Sequence, residues 1–176
     1  MTVEEYLEFE KSSEVRHEFV DGKVYAMAGE TLQHDDIVLN IVEAVRPIAR
    51  AKGCKLHATN VQTRVRQTRY RYPDIVVTCE QISDSRILEN PCFIAEVSSK
   101  NTNKIDHFDK LAEYIRLPSL QQYVIISQDI RCVGLYKCSP SGWRVEILED
   151  TGEFEIPCLE TSLTLDQIYA GLEFAS

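Results

Sequence analysis

The sequence predicts an α/β (mixed α+β) domain, a central mixed β-sheet with helices packed outside it. Three observations carry this expectation. The runs "DIVVTC", "CFIAEVS" and "QYVIIS" are apolar but too short for helices, which marks buried strands. Longer segments repeat apolar residues every three or four positions, which marks helices. No Gly/Ser- or Pro-rich linker, low-complexity tract or fixed-period repeat interrupts the 176 residues, so one domain spanning 1–176 with a sizeable core is expected.

The elements follow in order. "VEEYLEFEKS" places Val3, Tyr6 and Leu7 at helical spacing. "HEFVDGKVYAMAG" reads as two short strands around Asp21-Gly22, a pair favoured in tight hairpins. From Thr31 or Gln33 to about Lys52, the positions Ile37, Ile41, Val45 and Ile48 are helical, and Gly53 stands where a helix-terminating glycine belongs. Pro47 inside that pattern is expected to kink the helix or end its regular part. "TNVQTRVRQ" alternates Val61, Thr63 and Val65 against Gln62, Arg64 and Arg66, a half-exposed strand with one basic face. "DHFDKLAEYIRL" is a helix ended by Pro118, "CVGLYKC" and "WRVEILED" form a hairpin, and "LTLDQIYAGL" is a closing helix.

Composition narrows the function classes. The acidic, amphipathic N-terminal segment is neither a secretory signal nor a transit peptide, and no apolar run approaches the ~20 residues of a bilayer span. A cytoplasmic protein without a membrane is expected. The six cysteines show no C-x-x-C pair and several lie in apolar runs. They read as reduced core cysteines rather than a disulfide framework, with a zinc site less favoured still. A net charge of -9 argues against a non-specific nucleic-acid binder. Yet the eight basic residues from Arg46 to Arg71 are unbroken by any acid, so a local phosphate-binding face is as compatible with the pattern as a solvated surface.

Glu96 is the informative residue, because a carboxylate inside an otherwise apolar strand needs a metal, a basic partner or an exposed edge to offset its burial. Asp74 stands at the mouth of another apolar strand. If the two strands are neighbours, the two carboxylates converge at one sheet end and offer hard oxygen ligands for Mg²⁺. Taken singly, Asp74 after Pro73 also suits a turn or a cap, and Glu96 also suits a salt bridge.

The pair, with its surroundings, resembles a known pattern. "YPD" leading a strand and a later strand ending "EVSS" are similar to the PD-(D/E)XK nuclease superfamily. More narrowly, "RYPDIVVTCE", "PCFIAEVSS", "DHFDKLAEYIRLPSLQQYVII" and "RHEFVDGKVYAMAG" followed by His34 resemble the Uma-two family of endonucleases, in the same order from about Val3 to Leu172. The resemblance implies a restriction-endonuclease-like core in which Asp74 and Glu96 hold Mg²⁺ or Mn²⁺. It also implies Glu18 as a third acid and His34 as a phosphate contact, although Glu18 equally suits pairing with an arginine and His34 a helix cap.

The superfamily pattern wants a lysine two residues after the second acid, where this chain has Ser98. Lys110 is the expected substitute. Asp106, Lys110 and Tyr114 recur every four residues and project from one helix face. The alternative is an i,i+4 surface pair of Asp106 with Lys110, worth about 0.3–0.5 kcal/mol. Lys100 is a second candidate, in a loop where the family often has proline.

The expected function is a metal-dependent DNA endonuclease. Arg64, Arg66, Arg69 and Arg71 would lead backbone phosphates toward Asp74. A catalytically inactive nucleic-acid- or protein-binding module on the same fold is the alternative, and hydrolysis of another phosphorylated substrate is a third. A homodimer or higher homo-oligomer is expected by analogy with nucleases that cut two strands.

Overall fold

A computed structural model describes residues 1–82, 84–99 and 104–174, with only the backbone described at 104–106. The chain runs α1 (Val3–Ser12), β1 (His17–Val20), β2 (Lys23–Ala26), α2 (Leu32–Ala51), β3 (Lys55–Ala58), β4 (Gln62–Arg66), β5 (Arg69–Arg71), β6 (Ile75–Thr78), β7 (Ile87–Leu88), β8 (Phe93–Ser98) and α3 (Lys104–Tyr114). Then follow β9 (Gln122–Ser127), β10 (Cys132–Ser139), β11 (Gly142–Glu149), β12 (Glu153–Ile156), a 3₁₀ turn (Pro157–Leu159), β13 (Thr161–Thr164) and α4 (Leu165–Ile168). The mixed α+β expectation holds.

The larger sheet has the order β11-β10-β9-β8-β6-β3. Only β8 and β9 pair in parallel within it, and α3 supplies the crossover that a parallel pair requires. Alternation along β6 and β8 divides their side chains between two cores. Ile75, Val77, Phe93 and Ala95 pack with the Ile37, Ile41, Val45 and Ala49 stripe of α2. Val76, Ile94 and Tyr123 pack on the opposite face with Tyr114 and Leu117, at the end of α3 and just after it.

Where one central sheet was expected, the structure has two large ones. Strands β2-β1-β5-β4-β7 form a second, five-stranded sheet. Tyr6 of α1 seals it, stacking on Phe19 at 4.6 Å and packing with Tyr70. Strands β3, β5, β7, β12 and β13 are two to four residues long. Such pieces carry too few alternations to stand out in sequence; long-range pairing makes them strands. Gln62, expected on the exposed face of β4, is buried and donates from Nε2 to the Tyr6 hydroxyl at 2.7 Å. The Asp21-Gly22 hairpin is present, with φ of 47° and 91° at the two turn residues, the left-handed pair that a two-residue hairpin demands.

Helix α2 runs through Pro47 without ending. Pro47 and Glu43, whose carbonyl loses its donor, are both exposed, so the lost hydrogen bond falls on the solvent side of the helix. The closing helix shrinks to Leu165–Ile168, capped by Thr164. Among the described residues no helix is long and apolar enough to cross a membrane.

The cysteines depart from the expectation. Cys54 is joined to Cys79 and Cys92 to Cys158, leaving Cys132 and Cys138 free. The paired residues lie 25 and 66 positions apart. They meet only because the ends of three strands and the 3₁₀ turn converge, which no local spacing reveals.

Candidate active site

Strand pairing brings the two predicted acidic residues to one end of the larger sheet. Ile75 lies opposite Ala95 in the antiparallel β6–β8 ladder, so one step further Asp74 falls opposite Glu96. Asp74 is fixed by the adjacent strand, its Oδ2 accepting from the Val97 backbone N–H at 2.7 Å. Glu96 is 6% exposed and its Oε1 accepts from the Tyr114 hydroxyl at 2.8 Å.

Helix α3 lies over this strand end and turns Lys110 and Tyr114 toward it. The Lys110 Nζ is 3.7 Å from Glu96 Oε1 and 3.1 Å from Glu18 Oε1. Lys110 and Tyr114, one turn apart, thus both reach Glu96. The Asp106 side chain and Lys100 lie outside the described residues. Ser98 ends β8 in the larger sheet.

Glu18 comes from β1 of the second sheet and bridges to the site through two cations. Its Oε1 faces Lys110, while its Oε2 accepts from Arg71 Nη1 at 2.6 Å. Arg71 in turn makes a two-pronged contact with Glu113 of α3, Nε to Oε2 at 2.9 Å and Nη2 to Oε1 at 2.8 Å. Arg69 Nη1 also donates to Glu113 Oε1 at 2.6 Å. Glu113 was not foreseen. It is 1% exposed, but in sequence it is one helix glutamate among many, and its partners lie about forty residues earlier.

The predicted arginine face is therefore divided. Arg71 is 4% exposed and turned into the ion-pair network. Arg69 is partly buried, held by Asp21 and Glu113. Arg64 is more open and pairs with Glu89 at 2.7 Å, and Arg66 is half-buried. Strand alternation explains the division: Arg69 and Arg71 share the face of β5 that meets α3, while Tyr70 points into the α1 core.

His34 sits in the first turn of α2, with its backbone N–H capped by the Thr31 hydroxyl at 3.1 Å. It is 3% exposed, and its Nε2 lies 3.1 Å from Asp74 Oδ2. Burial disfavours the imidazolium, yet the Asp74 hydrogen bond and charge, with Glu30 and Glu96 nearby, raise the His34 pKa above its ordinary value. Its observed contact is with the carboxylate.

These groups line a cleft of about 550 Å³. Glu18, Glu30, Asp74, Glu96 and Asp109 face Lys110 and Arg71 across it, an excess of carboxylate. Burial drives the Glu96 carboxyl up to about 8; Lys110 pulls it down, Asp74 and Glu18 push it up, and the Tyr114 hydrogen bond pulls it down. The unfolded chain releases this proton near the ordinary 4.5, whereas the folded chain keeps it to about 8. Between those values the folded state binds more protons, so stability falls as pH rises. Without divalent cations, the melting temperature of the wild type should fall more steeply across that window than that of Glu96→Gln. Parallel curves in scanning calorimetry would count against a protonated Glu96.

Residues 3–167 match the model of the family Uma2, described as "Putative restriction endonuclease". The chain is 28% identical to the uncharacterized protein slr1290 of Synechocystis sp., covering 99% of this chain and 94% of that one. It is 25% identical to sll1609 of the same organism, covering 88% and 92%. A crystal structure from Anabaena variabilis, described as "a putative nuclease belonging to DUF820", superposes with a TM-score of 0.81 at 15% identity, over 97% of this chain and 98% of that one. At that identity the superposition shows a shared fold.

Proposed function

The chain belongs to the Uma2 family, and from that premise we propose that it is a metal-dependent DNA endonuclease in which Asp74 and Glu96 hold one Mg²⁺ or Mn²⁺. The observation that carries the proposal is the placement of these two acids at one end of β6 and β8, both lining one cleft, with Lys110 Nζ 3.7 Å from Glu96. The donor set fits the ion. Carboxylate oxygens suit hard cations, and the acids that line the cleft beside the buried Glu96, Asp74 and Glu18 among them, form a charge imbalance that a divalent cation would relieve. Both recorded Asp74 contacts fall on Oδ2, which makes Oδ1 the candidate ligand atom.

The bound ion would supply Lewis acidity toward the attacking water and the scissile phosphate. The residues of the chain position the rest. Lys110, held by Glu18 from one side and Glu96 from the other, presents an ammonium that orients the water or a phosphate oxygen. Tyr114 fixes the Glu96 rotamer through its hydroxyl. His34 holds Asp74 by a charge-assisted contact and brings the N-terminus of α2, with its favourable dipole, to the cleft wall. Arg64 and Arg66 are the arginines best disposed to meet backbone phosphate, with Arg69 and Arg71 supporting the site from within. One site per chain cuts one strand, so cleavage of duplex DNA is proposed to use a homodimer, in the cytoplasm where DNA is available.

Relaxation of supercoiled plasmid with Mg²⁺ or Mn²⁺ tests the reading. Lys110→Ala should slow cleavage by about 10²–10³-fold, the scale of a lost preorganised donor. Lys110→Arg should recover part of that loss. Wild-type chain that binds the cation but leaves plasmid intact would instead support the inactive binding module, to which Ser98 at the superfamily lysine position points.

A further inference from the structure

At the opposite end of the same strands, four cysteines converge. Cys54 immediately precedes β3, Cys79 follows β6, Cys92 precedes β8, and Cys158 lies in the 3₁₀ turn. They are drawn together as two adjacent disulfides, with Cys79 Sγ 3.9 Å from Cys92 Sγ although those two are not bonded. The sulfurs of Cys79, Cys92 and Cys158 all lie within 4.8 Å of one another. Sulfurs sharing one tetrahedral zinc at about 2.3 Å stand about 3.8 Å apart. We propose that Cys54, Cys79, Cys92 and Cys158 form a tetrathiolate site for Zn²⁺ in the reduced chain, a second metal site distinct from the carboxylate pair.

Two features support it. Cys54, Cys79 and Cys92 flank β3, β6 and β8, which are hydrogen-bonded neighbours in one sheet, so three of the four cysteines are gathered at one sheet end before metal arrives. Cys54 and Cys92 are buried and Cys79 is exposed, which gives the cluster both a dry wall and an entry path. In a reducing compartment disulfides do not persist, so soft thiolates held at this spacing select a soft divalent cation. The step balances with a cellular dithiol as reductant. Each disulfide takes two electrons and two protons while the dithiol becomes a disulfide. The four thiols then release four protons to solvent as one Zn²⁺ binds. The zinc would clamp the 3₁₀ turn to the sheet end, much as the Cys92–Cys158 disulfide does in the oxidised chain.

The test uses full-length chain, reduced, loaded with ZnCl₂ and freed of loose metal by gel filtration. About one zinc per chain should remain by plasma emission spectrometry, and Co²⁺ in its place should give the intense thiolate charge-transfer absorption of a tetrahedral sulfur site. Cys79→Ser or Cys92→Ser should lower retained zinc at least about tenfold, whereas Cys132→Ser combined with Cys138→Ser should leave it unchanged. Reduced wild type that retains no zinc and shows no cobalt–thiolate band would overturn the assignment. So would zinc lost on Asp74→Asn but kept in Cys79→Ser, because that ion would belong to the carboxylate site and the nuclease reading would stand without this one.

Discussion

Asp74→Ala is expected to abolish plasmid cleavage, lowering the rate at least about 100-fold at saturating Mg²⁺. The change removes one of two proposed ligands from a site too small in donor number to lose one. It also deletes the acceptor of the Val97 backbone N–H and the partner of His34 Nε2. His34 should then lose the contact that raises its pKa, and burial should leave it neutral at physiological pH. Asp74→Asn keeps the shape and an acceptor oxygen but removes the charge, so it separates ligation from packing. It should be almost as inactive while melting close to the wild type. Activity that survives both substitutions would mean that the chemistry lies elsewhere or in a contaminant.

The largest effect on stability is expected from Arg71→Met. Arg71 is 4% exposed and neutralises Glu113, 1% exposed, and Glu18, 8% exposed. Removing the guanidinium strands carboxylates inside the interface between α3 and the second sheet, and a broken buried pair costs about 3–5 kcal/mol. Arg69 and Lys110 remain close to Glu113 and Glu18 and keep the cost from rising further. A chain of this size loses about 2–4 °C per kcal/mol, so the melting temperature should drop by roughly 6–20 °C. Arg64→Met is the control. Its pair with Glu89 is open to solvent on both sides, and its loss should stay within about 1 kcal/mol. Equal shifts for the two variants, measured by circular dichroism, would show that Arg71 is not a structural cation.

The candidate site was more legible in the sequence than its support. Glu96 stood out because a carboxylate in an apolar strand is expensive, whereas Asp74 alone suited a turn or cap and drew attention only through Glu96 and the family resemblance. Four-residue spacing placed Lys110 and Tyr114 on one helix face, while the choice of Lys110 as the substitute cation rested on the resemblance more than on that spacing. Arg71 carried the opposite signal. It ends a stretch of eight basic residues that resembles an exposed phosphate path, and only the long-range docking of β5 against α3 turns it inward. His34 could be placed at a helix start but not against Asp74, since that contact spans forty residues and two sheets' worth of topology. The same limit hid the four-cysteine cluster and the short strands. Periodicity reports which face of an element is buried, not which partner covers it. The expected placement of Asp74 and Glu96 at one sheet end escaped the limit because the two strands pair as immediate neighbours.

Titration of Mn²⁺ by isothermal calorimetry, into oxidised chain whose disulfides keep the sulfurs from binding metal, tests the carboxylate site most directly. One binding event is expected in the wild type, and none in Asp74→Asn or Glu96→Gln variants with unchanged circular dichroism spectra. Binding that is absent from the wild type, or equally tight in both variants, would contradict a metal site built on Asp74 and Glu96.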